Sequence, residues 1–223
     1  MNRTKIEWTD WSWNPITGCL HGCWYCYARR IATRFPKNFP KGFKPTFWPE
    51  RLNEPWQLKK PSKIFVCSMS DLFAPWTPKE WRDAVLKSII ECPIKHTFQL
   101  LTKNPERIEP IKFPDNVWVG TTVTCTGGDY VNIEKIKYVR AGVRFVSFEP
   151  LLGKLPDIVD FRGIDWIIVG KLTGSKKIPL DEESVLDILT RAEWHDIPVF
   201  LKNNLGLDHL SFTHPRQEFP KED

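Results

Sequence analysis

The sequence has no apolar run near the roughly 20 residues that a membrane-spanning helix needs, so no transmembrane segment is expected. Its opening, Met1-Asn2-Arg3-Thr4-Lys5-Ile6-Glu7, is polar and carries no apolar leader core. The expectation is a soluble, cytoplasmic chain with no membrane partner, where disulfides are rare. No Gly-x-Gly-x-x-Gly fingerprint occurs, which removes the usual mark of a doubly wound dinucleotide-binding sheet. Cysteine is scarce, with 6 in 223 residues, and Cys67, Cys92 and Cys125 stand isolated from one another. There is no second C-x2-C pair, so the usual four-thiolate zinc set is missing. Neither sign of charge dominates. Lys plus Arg is 32 against 27 for Asp plus Glu, and the net +5 permits a nucleic-acid partner without demanding one.

The other three cysteines are concentrated in Gly18-Cys19-Leu20-His21-Gly22-Cys23-Trp24-Tyr25-Cys26-Tyr27. A C-x3-C-x2-C spacing lets one loop wrap three thiolates round a single centre. Soft thiolates suit zinc or an iron–sulfur cluster rather than magnesium or calcium. Zinc would need a fourth ligand, from His21 or from a distant residue. A cluster held by three cysteines keeps one iron open for something else to bind. A disulfide cluster is the weakest of the three readings without secretion.

Tryptophan and proline are over-used, at 11 and 19. Indoles at this density can stack on bases, or can pack a small core whose loops are stiffened by proline; packing is the preferred reading. Residues 35–61 hold six prolines and read as a stiff insertion with a brief helix near Pro55–Lys60. From residue 63 a rhythm begins. Apolar strands are expected at 63–67, 96–102, 116–122, 144–149, 165–170 and 198–202, after a short, ill-defined first strand near Ser12–Asn14. Helices are expected at 27–34, 129–140 and 181–194, and one after Thr77-Pro78-Lys79-Glu80, which has the pattern of a capping box. This alternation predicts parallel βαβ units. Six strands, or seven with the first, are too few for a closed eightfold barrel. Ligands of parallel barrels sit at the C-terminal strand ends. Those ends are polar here: Ser68, Ser70 and Asp71; Thr102 and Lys103; Thr121 and Thr122; Ser147 and Glu149; Lys171 and Thr173; Lys202.

The run Cys19-x3-Cys23-x-Tyr25-Cys26 resembles the signature of the radical S-adenosylmethionine (SAM) superfamily, with Tyr25 as its aromatic residue. Trp13-Asn14-Pro15 with Gly18-Cys19, Val66 to Phe73, and Ser147-Phe148-Glu149-Pro150-Leu151-Leu152 further resemble an uncharacterised phage- and prokaryote-associated radical-SAM-like family, from residue 5 to about 206. The resemblance implies an α/β fold: an open partial (βα)6 barrel of parallel strands, with the cysteine loop after the first strand and an extra strand at the C-terminal end. This barrel would span 1–206, and 207–223 would form a tail. It implies that Cys19, Cys23 and Cys26 hold a [4Fe–4S] cluster whose open iron chelates SAM. One electron, from an external donor such as flavodoxin or ferredoxin, then cleaves SAM to a 5′-deoxyadenosyl radical that abstracts hydrogen from substrate.

By the same resemblance, Tyr25 neighbours the adenine, and Ser68, Ser70 or Asp71 meets the SAM amino group. Thr121 and Thr122 match a region that meets ribose or carboxylate, and Phe148 to Leu151 a region near the adenine. Glu149 is a candidate proton-transfer group, and Cys67 and Cys125 are candidate radical-quenching donors. Gly170-Lys171-Leu172-Thr173-Gly174 stands where relatives tend to carry Gly-Gly-Glu-Ser-Gly, so an ammonium replaces a carboxylate. The basic, Trp-rich first third slightly favours a nucleotide or nucleic acid as substrate, and a peptide or small metabolite fits nearly as well. The alternative is a metal-stapled, non-catalytic nucleic-acid-binding or interaction protein.

Overall fold

Strand β1 (Asn2–Arg3) runs antiparallel to β2 (Trp11–Trp13), in a computed structural model that describes residues 1–108, 110–174, 178–207 and 216–221. The short strands β3 (Ile16–Thr17) and β4 (Thr46–Phe47) pair with each other and flank helix α1 (Tyr27–Arg34). The repeating part follows: β5 (Lys63–Val66), α2 (Lys79–Ile90), β6 (Thr97–Thr102), β7 (Val117–Thr122), α3 (Val131–Ile136), β8 (Val143–Phe148), β9 (Trp166–Val169), α4 (Glu182–Glu193) and β10 (Val199–Leu201). The main sheet has the order β1-β2-β5-β6-β7-β8-β9-β10. Every pair from β2 onward is parallel, giving seven parallel strands among the described residues. Each strand lies beside the next one in sequence. The order never reverses, so the switch point of a doubly wound sheet is missing.

Both faces of the sheet are buried, which is why its strands read as continuous apolar runs rather than alternating ones. On one face Ile64, Val66, Leu100, Val119, Val146 and Val169 pack with Val85, Ile89, Ile133 and Ile188 of the helices. On the other, Phe65, Trp118, Phe145, Trp166, Ile168 and Phe200 gather round Trp8. The Trp8 ring lies 4.8 Å from Phe65 and 6.3 Å from Trp166. Gly120 leaves room for the Phe145 ring, which a Cβ would meet at 2.5 Å. Gly120→Ala is therefore expected to overpack this cluster and cost about 1–3 kcal/mol, read from the midpoint of urea unfolding.

The insertion is stapled by three indoles, two of its own and that of Trp13. Trp13 Nε1 donates to Arg51 O (2.7 Å), Trp48 Nε1 to Thr17 Oγ1 (2.8 Å) and Trp56 Nε1 to Ser88 O (3.0 Å). Its brief helix is a 3-10 turn at Pro55–Gln57. Most tryptophans of the first third thus pack and tie; Trp24, on the cysteine loop, is 56% exposed.

Two helices depart from expectation. Helix α2 starts at Lys79 with Pro78 as its cap, and no capping box forms, because the Thr77 hydroxyl donates to Asp71 O instead. Helix α3 ends at Ile136, because the following residues are drawn into a bridge between Arg140 and Lys112 that leads into β8. Of the expected tail, 208–215 and 222–223 lie outside the described residues. Its described part packs on the core: Leu201 N donates to Arg216 O (2.7 Å), Glu218 N to Val199 O (3.1 Å) and Trp166 Nε1 to Glu218 O (2.8 Å). Among the described residues, no helix is long and apolar enough to cross a membrane.

Candidate functional site

The cysteine loop is built on a backbone that only glycine tolerates at its entrance. Gly18 has φ +88°, and a Cβ there would lie 2.2 Å from Lys44 O. Its N–H donates to Met69 O (2.9 Å), and its carbonyl accepts from the Ser70 hydroxyl (2.8 Å). Gly22, at φ +70°, makes the second turn. Cys26 then caps α1, its Sγ accepting the Arg29 N–H at 3.4 Å.

Cys19, Cys23 and Cys26 are free thiols, each partly buried, and all three line one cavity of about 430 Å³ together with Tyr25. Burial pushes the Cys19 thiol up to about 12, with Asp71, Cys23 and Cys26 adding to the shift. Burial, followed by the charge of Cys23, also raises the Tyr25 phenol. Three thiols on one cavity wall, one of them at a helix N-terminus, are a donor set of the right chemistry for an iron–sulfur cluster. Among the described residues, no three His, Cys, Asp or Glu groups converge as ligands of a single ion. The fit therefore rests on the donor set and its shared cavity. His21 is turned elsewhere: its Nε2 lies 2.9 Å from Asp71 Oδ2, and its ring stands edge-on to Trp76.

Asp71 is the hub behind the loop. Its buried carboxylate accepts from the N–H groups of Phe73 (3.1 Å) and Lys103 (3.0 Å), from Thr102 Oγ1 (2.7 Å) and from Asn104 Nδ2 (2.9 Å), besides facing His21. Five contacts saturate a carboxylate's lone pairs. Ser70 and Asp71, the residues expected at a SAM amino group, both line the cavity; within the chain the Ser70 hydroxyl clamps Gly18, and Asp71 fixes His21 and the end of β6. Ser68 also lines the cavity, but its hydroxyl donates to Asn14 Oδ1 (3.2 Å) and its carbonyl accepts from Tyr27 OH (2.7 Å).

The opposite wall is made by the strand ends. Thr122, Ser147, Glu149, Lys171 and Lys202 all line the cavity. Glu149 and Lys202 form an ion pair. Gly170 makes space for it, since a Cβ there would lie 2.9 Å from Lys202 Cδ and 3.4 Å from Glu149 Cγ. Lys103 Nζ donates to Tyr25 OH (3.1 Å) and so braces the aromatic residue of the cysteine loop.

Five candidates lie off this wall. Thr121 and Phe148 alternate with Thr122 and Ser147 and so point to the helix-covered face. Thr121 Oγ1 donates to Thr102 O (3.0 Å), and Phe148 packs against Phe161. Leu151 is buried in the same core. Cys67 is buried there too, at φ 58°, and Cys125 packs against that core from outside. Burial pushes both thiols up to about 12, helped at Cys125 by Asp129 and Asp187. Neither lines the cavity. Sequence reasoning missed Trp8, which does; it lies ten residues before the cysteine loop and outside every strand, with only its residue type as a signal.

A sheet of parallel strands wound in sequence, with a three-cysteine cavity at its C-terminal rim, defines an α/β protein with one cavity where its cysteine loop meets the strand ends. A family model described as "Protein of unknown function (DUF5131)" matches residues 3–213, and the chain belongs to that family. No curated protein and no solved structure matches it.

Proposed function

We propose that the protein is a radical SAM enzyme built on an open (βα)6 partial barrel with one added strand. The observation that carries this reading is that all three cysteines of C-x3-C-x2-C face one cavity, with the C-terminal strand ends of a sequentially ordered parallel sheet as its other wall. Contacts across the sheet support the curl of a barrel. Neighbouring strands are about 4.8 Å apart, so β5 and β10, five steps apart, would lie roughly 24 Å from each other in a flat sheet. Yet Phe219 lies 5.3 Å from the Phe200 ring of β10 and 4.8 Å from Lys63 Nζ of β5.

In this reading Cys19, Cys23 and Cys26 would hold a [4Fe–4S] cluster, which when bound supplies the electron for reductive cleavage of SAM. The chain's own residues do the positioning. Lys103 braces Tyr25 beside the ligand. Thr122, rather than Thr121, offers its hydroxyl to ribose or carboxylate. The Glu149–Lys202 pair presents a fixed dipole to the reacting groups and can hold a proton at Glu149. Phe65, Leu101 and Ile6 make an apolar wall that excludes water. The external electron donor would approach where Leu20 and Trp24 are exposed beside the cysteines.

The commitment of the Asp71 carboxylate to donors within the chain favours a second reading, a metal-stapled binding protein with no SAM turnover. Paramagnetic resonance of the anaerobically reduced protein, with and without SAM, separates the two. A cluster spectrum that shifts on adding SAM is expected. Zinc in place of iron, or a cluster indifferent to SAM, would overturn the enzymatic reading.

A further inference from the structure

Residues 18–45 form one closed excursion between the paired strands β3 and β4. It carries the cysteine loop, α1 and a run of tight turns, and Cys19 N donates to Phe43 O (3.2 Å) where its two ends meet. Its charge is of one sign. Between Asp10 and Glu50 the sequence has no acidic residue and six basic ones: Arg29, Arg30, Arg34, Lys37, Lys41 and Lys44. Six of the chain's 32 Lys and Arg fall here, and none of its 27 Asp and Glu. The rest of the chain therefore holds 26 against 27, and the net positive charge belongs entirely to this excursion. All six cations are exposed. Among the described residues, none of them has a carboxylate within ion-pair distance. Like charges crowded in this way repel one another, and an anionic partner relieves the repulsion.

The cations alternate with rings. Helix α1 buries Ala28 and Ala32 and leaves Arg29, Arg30 and Arg34 in solvent. The Arg34 guanidinium lies 5.5 Å from the centre of the Phe35 ring, which is 47% exposed, and the Arg29 guanidinium lies 5.6 Å from that of Phe43. Trp24, more than half exposed, stands at the cysteine end of the same excursion. A protein–protein interface gathers apolar groups into a core depleted of charge and sets its charges at the rim. Here the two are interleaved residue by residue, in Arg29-Arg30-Ile31 and Arg34-Phe35-Pro36-Lys37. That mixture suits a strand whose phosphates meet the cations while its bases stack on the rings. Exposed rings have no bases to take from a duplex, where the bases already stack on one another. We infer that the face formed by α1 and residues 35–44 binds single-stranded nucleic acid. The inference stands on this surface and does not rest on the cluster reading.

The test is fluorescence anisotropy of labelled oligo(dT) and oligo(U), each of about 20 nucleotides, with the full chain at rising KCl. Binding should fall with salt, with a log–log slope of about −0.7 for each cation engaged. The combined variant Arg34→Gln, Lys37→Gln, Lys41→Gln should weaken binding at least tenfold and flatten the slope by about 2. Phe35→Ala should weaken binding by about tenfold with the slope unchanged, because it removes a stacking surface and no charge. Its unfolding midpoint, read alongside, checks that α1 survives. Lys87→Gln, on the exposed side of α2, should change nothing. A duplex of the same length should bind at least tenfold more weakly than the single strand. The inference fails if neither oligonucleotide binds at about 100 μM protein and low salt. It fails if Lys87→Gln weakens binding as much as the combined variant does, or if the duplex binds as tightly as the single strand. It fails also if poly-glutamate displaces oligo(dT) at equal charge and Phe35→Ala has no effect, which would make an acidic protein the partner of this face. None of these results touches the SAM dependence of a cluster spectrum, so the two readings fail separately.

Discussion

Cys23→Ala is expected to strip the reconstituted protein of its iron. The intact chain should take up about four irons and four sulfides, as a cubane cluster requires. Loss of one of three thiolates should leave a fraction of that, and the same holds for Cys19→Ala and Cys26→Ala. Cys125→Ser is the informative contrast. It changes a thiol that packs against the helix-covered core and does not line the cavity, so its iron content should match the wild type. Colorimetric iron and sulfide analysis under anaerobic conditions reads all four variants. Equal loss in Cys125→Ser would mean that the cavity has been misassigned as the metal site.

The second large effect belongs to a residue with no thiol. Asp71→Ala would leave the Thr102 hydroxyl, the Asn104 amide, two backbone N–H groups and His21 facing a void. Removing one member of a buried polar network costs about 3 kcal/mol or more, because its partners lose what satisfied them. For a chain of this length that is roughly 6–12 °C in Tm. Thr102→Val removes one hydrogen bond from the same hub and should cost only about 1 kcal/mol. Differential scanning calorimetry distinguishes the two. Similar losses for both variants would mean that Asp71 does not act as a hub. Asp71→Ala should also retain iron poorly after desalting, because His21 lies between Cys19 and Cys23.

The alternation of apolar runs and amphipathic stretches made the strands from 63 to 202 legible, and with them the sequential α/β order. Three thiols within eight residues made the cysteine loop legible. The internal contacts of Ser70 and Asp71 were not, because most of their partners come from distant segments: Gly18 for one, and His21 and 102–104 for the other. A strand-end carboxylate reads as available until those donors are brought to it. The capping box after Thr77 failed for the same reason, since its hydroxyl had a better acceptor in Asp71 O. Thr121 and Phe148 show the limit of motif matching. Side chains alternate with period two along a strand, so one residue of offset moves a group from cavity to core. Trp8 was illegible because an indole in a loop gives no sign of which cavity its ring will line.

The contacts of residues 216–219 with β10, Trp166 and Lys63 have a consequence for biosynthesis. The ribosome delivers the three thiols first and Phe219 almost 200 residues later. Glu7 meets Asn203 N only then, at 2.9 Å, across 196 positions of chain. Until that closure the cysteine loop has neither its opposite wall nor its aromatic floor. Long-range closures of this kind come late in folding. The nascent thiols are therefore open to oxidation for most of synthesis, and a cluster bound there would gain its complete cavity only once residues 216–219 have docked.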